Sequence, residues 1–579
     1  MVDLGPAPDL LGMFPSDISC PRWLLASLWL LAAAAGLMDV SEFRHAMNGD
    51  GMSYLDIADA LRRGQSELAV NSYWSPLYPA LIAMALAVAQ PTPYGEFTVV
   101  HALNFLIFLG GLGIAHLFII EMIRFRRFRT SGQEPSNDGL PDWAWVLLGY
   151  SLAIWSALHI VRLRLVTPDL LVTGFCYAAG AILLRLARGG NGWGVWCLLG
   201  IALGVGYLAK AVLFLVAGAF LTAAFFSAAD RRLAIRGVLL SLVSFTIVCG
   251  PWVVALSRST GRFTFGDSGK LNYAWYVNET SPFAHWQGET PRAGKPVHPP
   301  RKISEAPAAF AFSGPFPNVT YPLWFSPGYW YDGLSVFFNL RRQLEIIAVH
   351  LESYFSLFTL HQAPWLTACA LLYAIGSRRW RDALAGWPLL LPPLCALALY
   401  SLVHTEARFF GGFLSLLWCG LFAGVRLPDS AEVRRLAGAV VAVTAVTFLA
   451  IAVMTPAALT ARSALVWAGG RKPWPHVQAE VAQAIHGRGV RPGDPVAFIG
   501  ETFNAYWARV ARVRIVAEIP IGETAGFWAL DAARSSSALE ALKNAGARVV
   551  VSKNVPKSVP ETHWQRLGAT EYRAYFFDR

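Results

Sequence analysis

Long apolar runs alternate with short polar islands along this chain. Eleven of the runs are candidates to cross a bilayer: 23–39, 97–123, 143–160, 168–186, 192–208, 211–227, 238–256, 363–375, 385–403, 409–425 and 437–454. Several reach the roughly 18 to 20 residues that a helix needs to cover the hydrocarbon core. A further apolar stretch, 75–90, is short, opens with Pro76 and Pro79 and is followed by Pro91 and Pro93. If it crossed, Arg124, Arg126, Arg127 and Arg129 would fall outside. If it lies in the interface or re-enters, they fall inside with the other basic loops, and that placement is adopted. The inner loops then hold Arg185 and Arg188, then Arg231, Arg232 and Arg236, then Arg378, Arg379 and Arg381, then Arg426, Arg434 and Arg435. The segment 1–22 is cytoplasmic, 130–142 is a polar inner loop, and the first run is expected to stay as a signal anchor.

Two polar stretches face outward in this map, 40–96 and 257–345. The second is too long for an idle connection. Its Trp275, Trp286, Trp324 and Trp330 are read by default as an interfacial aromatic belt, with stacking on sugar faces as the alternative. A helix outside the membrane is expected near 344–360. From about Pro456 the composition becomes that of a soluble domain. Strands at 495–499 and 513–519 flank a helical 502–510, and a helix at 537–544 leads to a strand at 548–552, which makes a small extracytoplasmic α/β unit over 456–579. The fold class is thus an α-helical multi-pass membrane protein of about eleven spans, 23–455, carrying a small C-terminal α/β domain.

Composition agrees with this picture. Of 579 residues, 55% are hydrophobic and only 15% charged, which is too apolar for an ordinary soluble protein of this length. The net charge of +11 comes largely from arginines in short loops, so topology accounts for it better than a nucleic-acid partner. Seven cysteines lie in or beside apolar runs without CxxC spacing and read as small buried residues. No GxGxxG, P-loop, HExxH, Cys/His metal spacing or nucleophile elbow is present.

The candidate chemistry starts in the island Asn48-Gly-Asp-Gly-Met-Ser-Tyr-Leu-Asp-Ile-Ala-Asp-Ala-Leu61. Asp50 stands between Gly49 and Gly51, where the backbone can turn freely and approach a ligand. Ser53 and Asp56 have capping-box spacing, which predicts a helix starting just after the acid. Tyr54, Ile57, Ala58 and Leu61 share one face and Asp56, Asp59 and Arg63 lie on others, so this helix is expected at a membrane surface. An ordinary turn-forming aspartate is the alternative for Asp50. Three more polar outer sites follow. Thr167-Pro168-Asp169 opens a span, where a plain helix cap is the alternative. Lys210 lies in Gly206-Tyr-Leu-Ala-Lys-Ala, where snorkelling is the alternative. Glu406 and Arg408 lie in His404-Thr-Glu-Ala-Arg-Phe-Phe410, where a surface ion pair is the alternative.

These segments, with the Trp74-Ser-Pro-Leu-Tyr-Pro79 run, resemble the GT-C glycosyltransferases, multi-pass enzymes that include the protein mannosyltransferases and lipid A aminoarabinose transferases. The resemblance covers roughly 23–425 through four short motifs. It implies a polyprenyl-phosphate sugar donor and a lipid, glycan or protein acceptor outside the inner (plasma) membrane. Asp50 would be the general base. Asp169 would be a second acid that orients an acceptor or holds a divalent metal. Lys210 and Arg408 would contact the donor phosphate, and Tyr54, Glu406 and His404 would position substrate. Many relatives have Asp-Glu where this chain has Asp50-Gly51, and Ala211 replaces the usual Gly after the lysine. A transporter or flippase of a lipid-linked saccharide is the main rival, and a non-catalytic scaffold the third reading. A transporter would place its charges near the bilayer midplane, whereas here they cluster at outer span ends. A scaffold would leave Asp50, Lys210 and Arg408 far apart.

Overall fold

The computed structural model describes residues 18–130, 139–190, 192–280, 285–376, 380–470 and 476–577. Most of the inner loop expected at 130–142, Arg378 and Arg379, and most of the N-terminal segment lie outside the described residues. Among those described, seven helices are long and apolar enough to cross a membrane: Arg22–Glu42 (α1), Pro93–Arg129, Asp142–Val161, Asp169–Ala187, Arg231–Thr260, Leu384–Ser401 and Ala431–Ala468. Shorter apolar helices, Trp193–Ala209, Leu213–Ser227, Ala363–Ile375 and Ala407–Phe422, fall on the other four expected spans. Helix Leu77–Ala89 is the stretch read as interfacial. At 13 residues it is about 20 Å long, well short of a bilayer core. It buries Tyr78, Ile82 and Leu86 while exposing Met84 and Val88.

Small residues bring the helices together where apolar burial alone cannot drive association. Gly200 and Gly204, four residues apart on Trp193–Ala209, meet helix Arg231–Thr260 so closely that a Cβ on Gly200 would lie 2.2 Å from the Ser241 carbonyl. Gly237 returns the fit by receiving the Trp196 ring, and Ser241 Oγ donates to the Trp196 carbonyl at 2.7 Å. At one end of the bundle the arginines tie helix ends together. Arg126 donates to the carbonyls of Ala423 and Val425, and Arg188 pairs with Glu121.

At the other end lies one seven-stranded sheet. Its strands are β1 (Arg301–Glu305), β2 (Ala308–Ala311), β3 (Pro495–Gly500), β4 (Arg514–Pro520), β5 (Val549–Lys553), β6 (Gln565–Arg566) and β7 (Tyr572–Phe576), in the order β1-β2-β4-β3-β5-β7-β6. The expected strands β3, β4 and β5 are its parallel centre. The hairpin β1–β2 was not expected. It comes from the long polar loop, and Phe310 of β2 pairs with Glu518 of β4. The loop and the C-terminal domain therefore share a sheet. Helix Ala431–Ala468 runs through Pro456, so the composition change lies inside a helix rather than at its end.

Three local expectations need correction. The helix after the first span, α2 (Gly49–Arg62), begins before Asp50, is capped by no side chain and is buried almost all round. Ser53 Oγ donates to the Trp324 carbonyl instead of capping. The acidic face of α2 also meets protein rather than a membrane surface. Arg509, 2% exposed, donates to Asp56 at 2.7 Å and pairs with Asp59 at 2.8 Å and Glu96 at 3.0 Å. Arg512 adds a bond to Asp59 at 2.7 Å and another to Glu96, and Thr320 gives Asp56 two hydrogen bonds of 2.9 Å. Finally, Trp275, Trp286, Trp324 and Trp330 are 3 to 7% exposed, which places them in a core and not in a belt.

Arg509→Met removes the central cation and leaves the buried Asp56 without its ion pair, a change expected to cost about 3–5 kcal/mol. Denaturant titration of the purified protein should show that loss, with the C-terminal domain cut first by protease. An unchanged midpoint and digestion pattern would contradict the clamp.

Candidate functional site

The site forms where the N-terminal end of α2 meets the outer ends of the spans. Asp50 sits in the first turn of α2, Asp169 starts Asp169–Ala187, Lys210 caps Trp193–Ala209, and Arg408 precedes the Gly411–Phe422 helix. All seven residues singled out from the sequence, Asp50, Tyr54, Asp169, Lys210, His404, Glu406 and Arg408, line one cavity of about 930 Å³. The scaffold reading expects Asp50, Lys210 and Arg408 far apart, and in the structure they share one cavity.

The charged groups form an alternating chain. Lys210 Nζ donates to Asp169 Oδ1 at 2.6 Å, and Arg408 Nη1 lies 3.8 Å from Asp169 Oδ2. Both Arg408 Nη atoms donate to Asp50 Oδ2 at 3.3 Å, and its Nε donates to Glu406 Oε2 at 2.6 Å. His404 Nε2 stands 3.3 Å from Glu406 Oε1, and its ring stacks on Tyr276 with centroids 3.9 Å apart. Trp324 Nε1 donates to the other Asp50 oxygen at 3.3 Å. The ordinary alternatives of cap, snorkel and surface pair thus each describe part of the arrangement, yet the charged groups meet across four separate segments of chain.

Burial sets the protonation of this cluster. It raises the Asp50 carboxyl above its usual value, with Arg408 pulling the other way and Glu406 adding to the rise. Burial also pushes Glu406 up, but His404 and Arg408 outweigh it and hold Glu406 down at about 2. Burial lowers the Lys210 ammonium while Asp169 opposes the fall. Tyr54 is driven well above its ordinary value by burial and by the nearby Asp50 and Asp169, so its hydroxyl keeps its proton.

The two glycines around Asp50 are there for packing, not for a turn. A Cβ on Gly49 would lie 2.1 Å from the Phe503 ring. One on Gly51 would meet Met47 Sδ at 2.3 Å and Val166 Cβ at 2.9 Å. A larger residue at position 51 would therefore have to displace both side chains. Asn48, the residue before α2, fixes the entry instead by accepting from the Val166 amide at 2.9 Å.

Several lining residues were missed. Lys270 and Asn272 come from helix Ser268–Tyr276 and Phe503 from the C-terminal domain, while Trp275 and Trp324, for which sugar stacking was the alternative to a belt, also line the cavity. The aromatic richness of 257–345 was a signal for the tryptophans, but Phe503 had none. The opposite wall, with Val212, Leu215, Leu399 and Val403, is apolar. Among the described residues no group of three or more His, Cys, Asp and Glu has metal-binding geometry. Asp50 and Asp169 each take their positive partner from Arg408 or Lys210.

Neither a protein-family model nor a curated protein sequence matches the chain. Solved structures do. ArnT from Cupriavidus metallidurans in the apo state aligns with a TM-score of 0.51 at 14% identity, covering 95% of this chain and 98% of that one. The same protein bound to undecaprenyl phosphate aligns with a TM-score of 0.50 at 15% identity, covering 96% and 97%. At such identity the likeness speaks to architecture, and it spans both the helical bundle and the sheet. The chain therefore has the GT-C fold of the multi-pass membrane glycosyltransferases.

Proposed function

We propose that this protein is an inner-membrane glycosyltransferase that moves a sugar from a polyprenyl-phosphate donor to an acceptor on the outer side of the membrane. The observation that carries the reading is the meeting of Asp50, Asp169, Lys210 and Arg408 in one cavity that also has an apolar wall. A polyprenyl chain suits that wall, and a phosphate suits the two cations. The undecaprenyl phosphate bound to the ArnT structure supports the same class of donor. The basic loops at the opposite helix ends support an outward-facing cavity and sheet. Charges gathered at helix ends, rather than at mid-span, favour surface chemistry over transport.

In the reaction, the Asp50 carboxylate takes the proton from an acceptor hydroxyl as that oxygen attacks the anomeric carbon. The bond from that carbon to the phosphate oxygen breaks, and the prenyl phosphate leaves with the electron pair, stabilised by Lys210 and Arg408. Asp169 holds Lys210 in place at 2.6 Å, Glu406 does the same for Arg408, and Tyr54, with its proton retained, is a hydrogen-bond donor beside the base. Trp275 and Trp324 line the cavity in which the sugar would sit. The acceptor is a lipid, glycan or protein with a free hydroxyl. The scheme meets the leaving phosphate with side-chain cations and routes no step through a divalent metal.

Asp50→Asn keeps the size of the side chain and removes the base. With a panel of radiolabelled polyprenyl-phosphate sugars and envelope acceptors, transfer by the protein in lipid should fall by about 10²–10⁴-fold while donor binding persists. Transfer at wild-type rate would remove Asp50 as the base. If both proteins bind donor and neither cleaves it, transport becomes the better account.

The pH profile gives a second check. A base works ionised, so activity is lost as pH falls through the raised Asp50 value, above the ordinary 3.8. Arg408→Gln removes the group that lowers Asp50 and should move the acidic limb of kcat/KM to higher pH. Glu406→Gln removes a neighbour that raises it and should move the limb lower. Limbs that stay in place in both variants would show that another group titrates.

A further inference from the structure

We propose that the outer domain carries a second ligand site, separate from the cavity, that binds a phosphate group. It is a concavity of about 550 Å³ between the C-terminal end of α2 and the C-terminal domain, lined by Arg62, Arg63, Arg509, Arg512 and Arg514. The acids facing these five guanidiniums are Asp56, Asp59 and Glu96, so the site keeps a positive excess. Asp59 alone is shared by four of them, with Arg509 at 2.8 Å, Arg512 at 2.7 Å, Arg62 at 3.5 Å and Arg63 at 3.9 Å. The two short contacts both fall on Oδ2, while the two longer ones reach Oδ1 from Arg62 and Oδ2 from Arg63. Arg62 and Arg63 keep 35% and 45% of their side chains open to the concavity side of the molecule and to solvent. Arg514 uses only Nε inside the protein, donating to the Gly493 carbonyl at 3.0 Å.

The surrounding backbone is built to hold this arrangement. Arg512 and Asn318, both lining the concavity, adopt left-handed φ of 55° and 64°. That conformation is uncommon for a residue such as arginine and persists where neighbours enforce it. Here it coincides with the guanidinium of Arg512 lying on Asp59 and Glu96, whose charge it neutralises. Several forked cations around one open hollow, with the nearby acids already satisfied, match the recognition of a multiply charged oxyanion rather than a single carboxylate. The phosphate belongs either to a soluble or acceptor-borne group or to an anionic lipid headgroup. Along α2 the distance from Asp50 to Arg62 is about 18 Å, so one bound phosphate cannot serve both places.

The test uses the full-length protein in nanodiscs of zwitterionic lipid, titrated with inorganic phosphate at constant ionic strength while its thermal midpoint is read. Phosphate should raise the midpoint saturably. The apparent Kd should weaken at least tenfold in the Arg62→Ala/Arg63→Ala protein and in Arg514→Gln, and remain in Lys210→Met, whose change lies in the cavity. A response that is linear in phosphate, equal in all variants, or lost only in Lys210→Met overturns the proposal. Repeating the titration in anionic nanodiscs assigns the source. Suppression of the phosphate response there, restored to the variants' level of difference in zwitterionic discs, identifies a headgroup. An unsuppressed response identifies a soluble or acceptor-borne phosphate, and either result supports the site. Transfer activity enters none of these readouts, so the proposal stands or falls apart from the glycosyltransferase reading.

Discussion

Arg509 holds the molecule's two halves in register. Its guanidinium is buried among Asp56 and Asp59 of α2 and Glu96 at the start of the following span, so three carboxylates from two parts of the chain converge on one cation. Burying charges is expensive unless each is paired and hydrogen-bonded. Here the cost is offset by Arg512 and by the two donors from Thr320. The geometry tolerates little movement, because any shift of α2 against the C-terminal domain exposes an unpaired carboxylate to a dry interior. Since α2 also carries Asp50, the network fixes where that carboxylate can stand.

The cavity uses the same physics with less burial. Lys210, Asp169 and Arg408 alternate in sign, and Arg408 then branches to Asp50 and Glu406, so each carboxylate is stabilised by a neighbouring cation. The chain leaves Asp50 with a raised pKa and Glu406 with a depressed one. Two carboxylates that share one arginine thus differ in proton affinity. The difference follows from position: Glu406 also has His404 beside it and is 40% exposed, whereas Asp50 is 17% exposed, and its burial outweighs the Arg408 and Trp324 donors that favour its ionised form. A base needs the higher affinity, and a group that only orients a cation is better fully ionised.

How much of this could be read from the chain depended on how far each partner lies along it. Hydropathy located the spans, because membrane crossing is a local property of about twenty residues. Charge at loop ends separated Leu77–Ala89 from the crossing helices. The polar motifs picked out the cavity residues because each stands at a span end, where few other roles compete. The reading of α2 failed for the opposite reason. Its acids looked like a solvated face, and nothing nearby shows that Arg509 and Arg512, more than 400 residues later, are their partners. The β1–β2 hairpin escaped notice for the same cause, since its edge is completed by β4. The tryptophans of the long loop looked like a belt because composition cannot tell a wet interface from a buried cluster.

The C-terminal domain is therefore part of the cavity and not an appendage. Phe503 presses against Gly49 so tightly that no side chain fits there, and its ring packs edge-on against Trp324, 5.1 Å between centroids. Trp324 in turn donates to Asp50. A displacement of the domain would pass through Phe503 and Trp324 to the carboxylate, and a displacement of α2 would pass through Asp56 and Asp59 to the domain. Two independent contacts thus couple the sheet to the same short helix, one apolar at its first turn and one ionic further along. Glycines on both sides of Asp50 are what this packing demands. Gly49 admits the domain's aromatic ring, and Gly51 admits the Met47 and Val166 side chains.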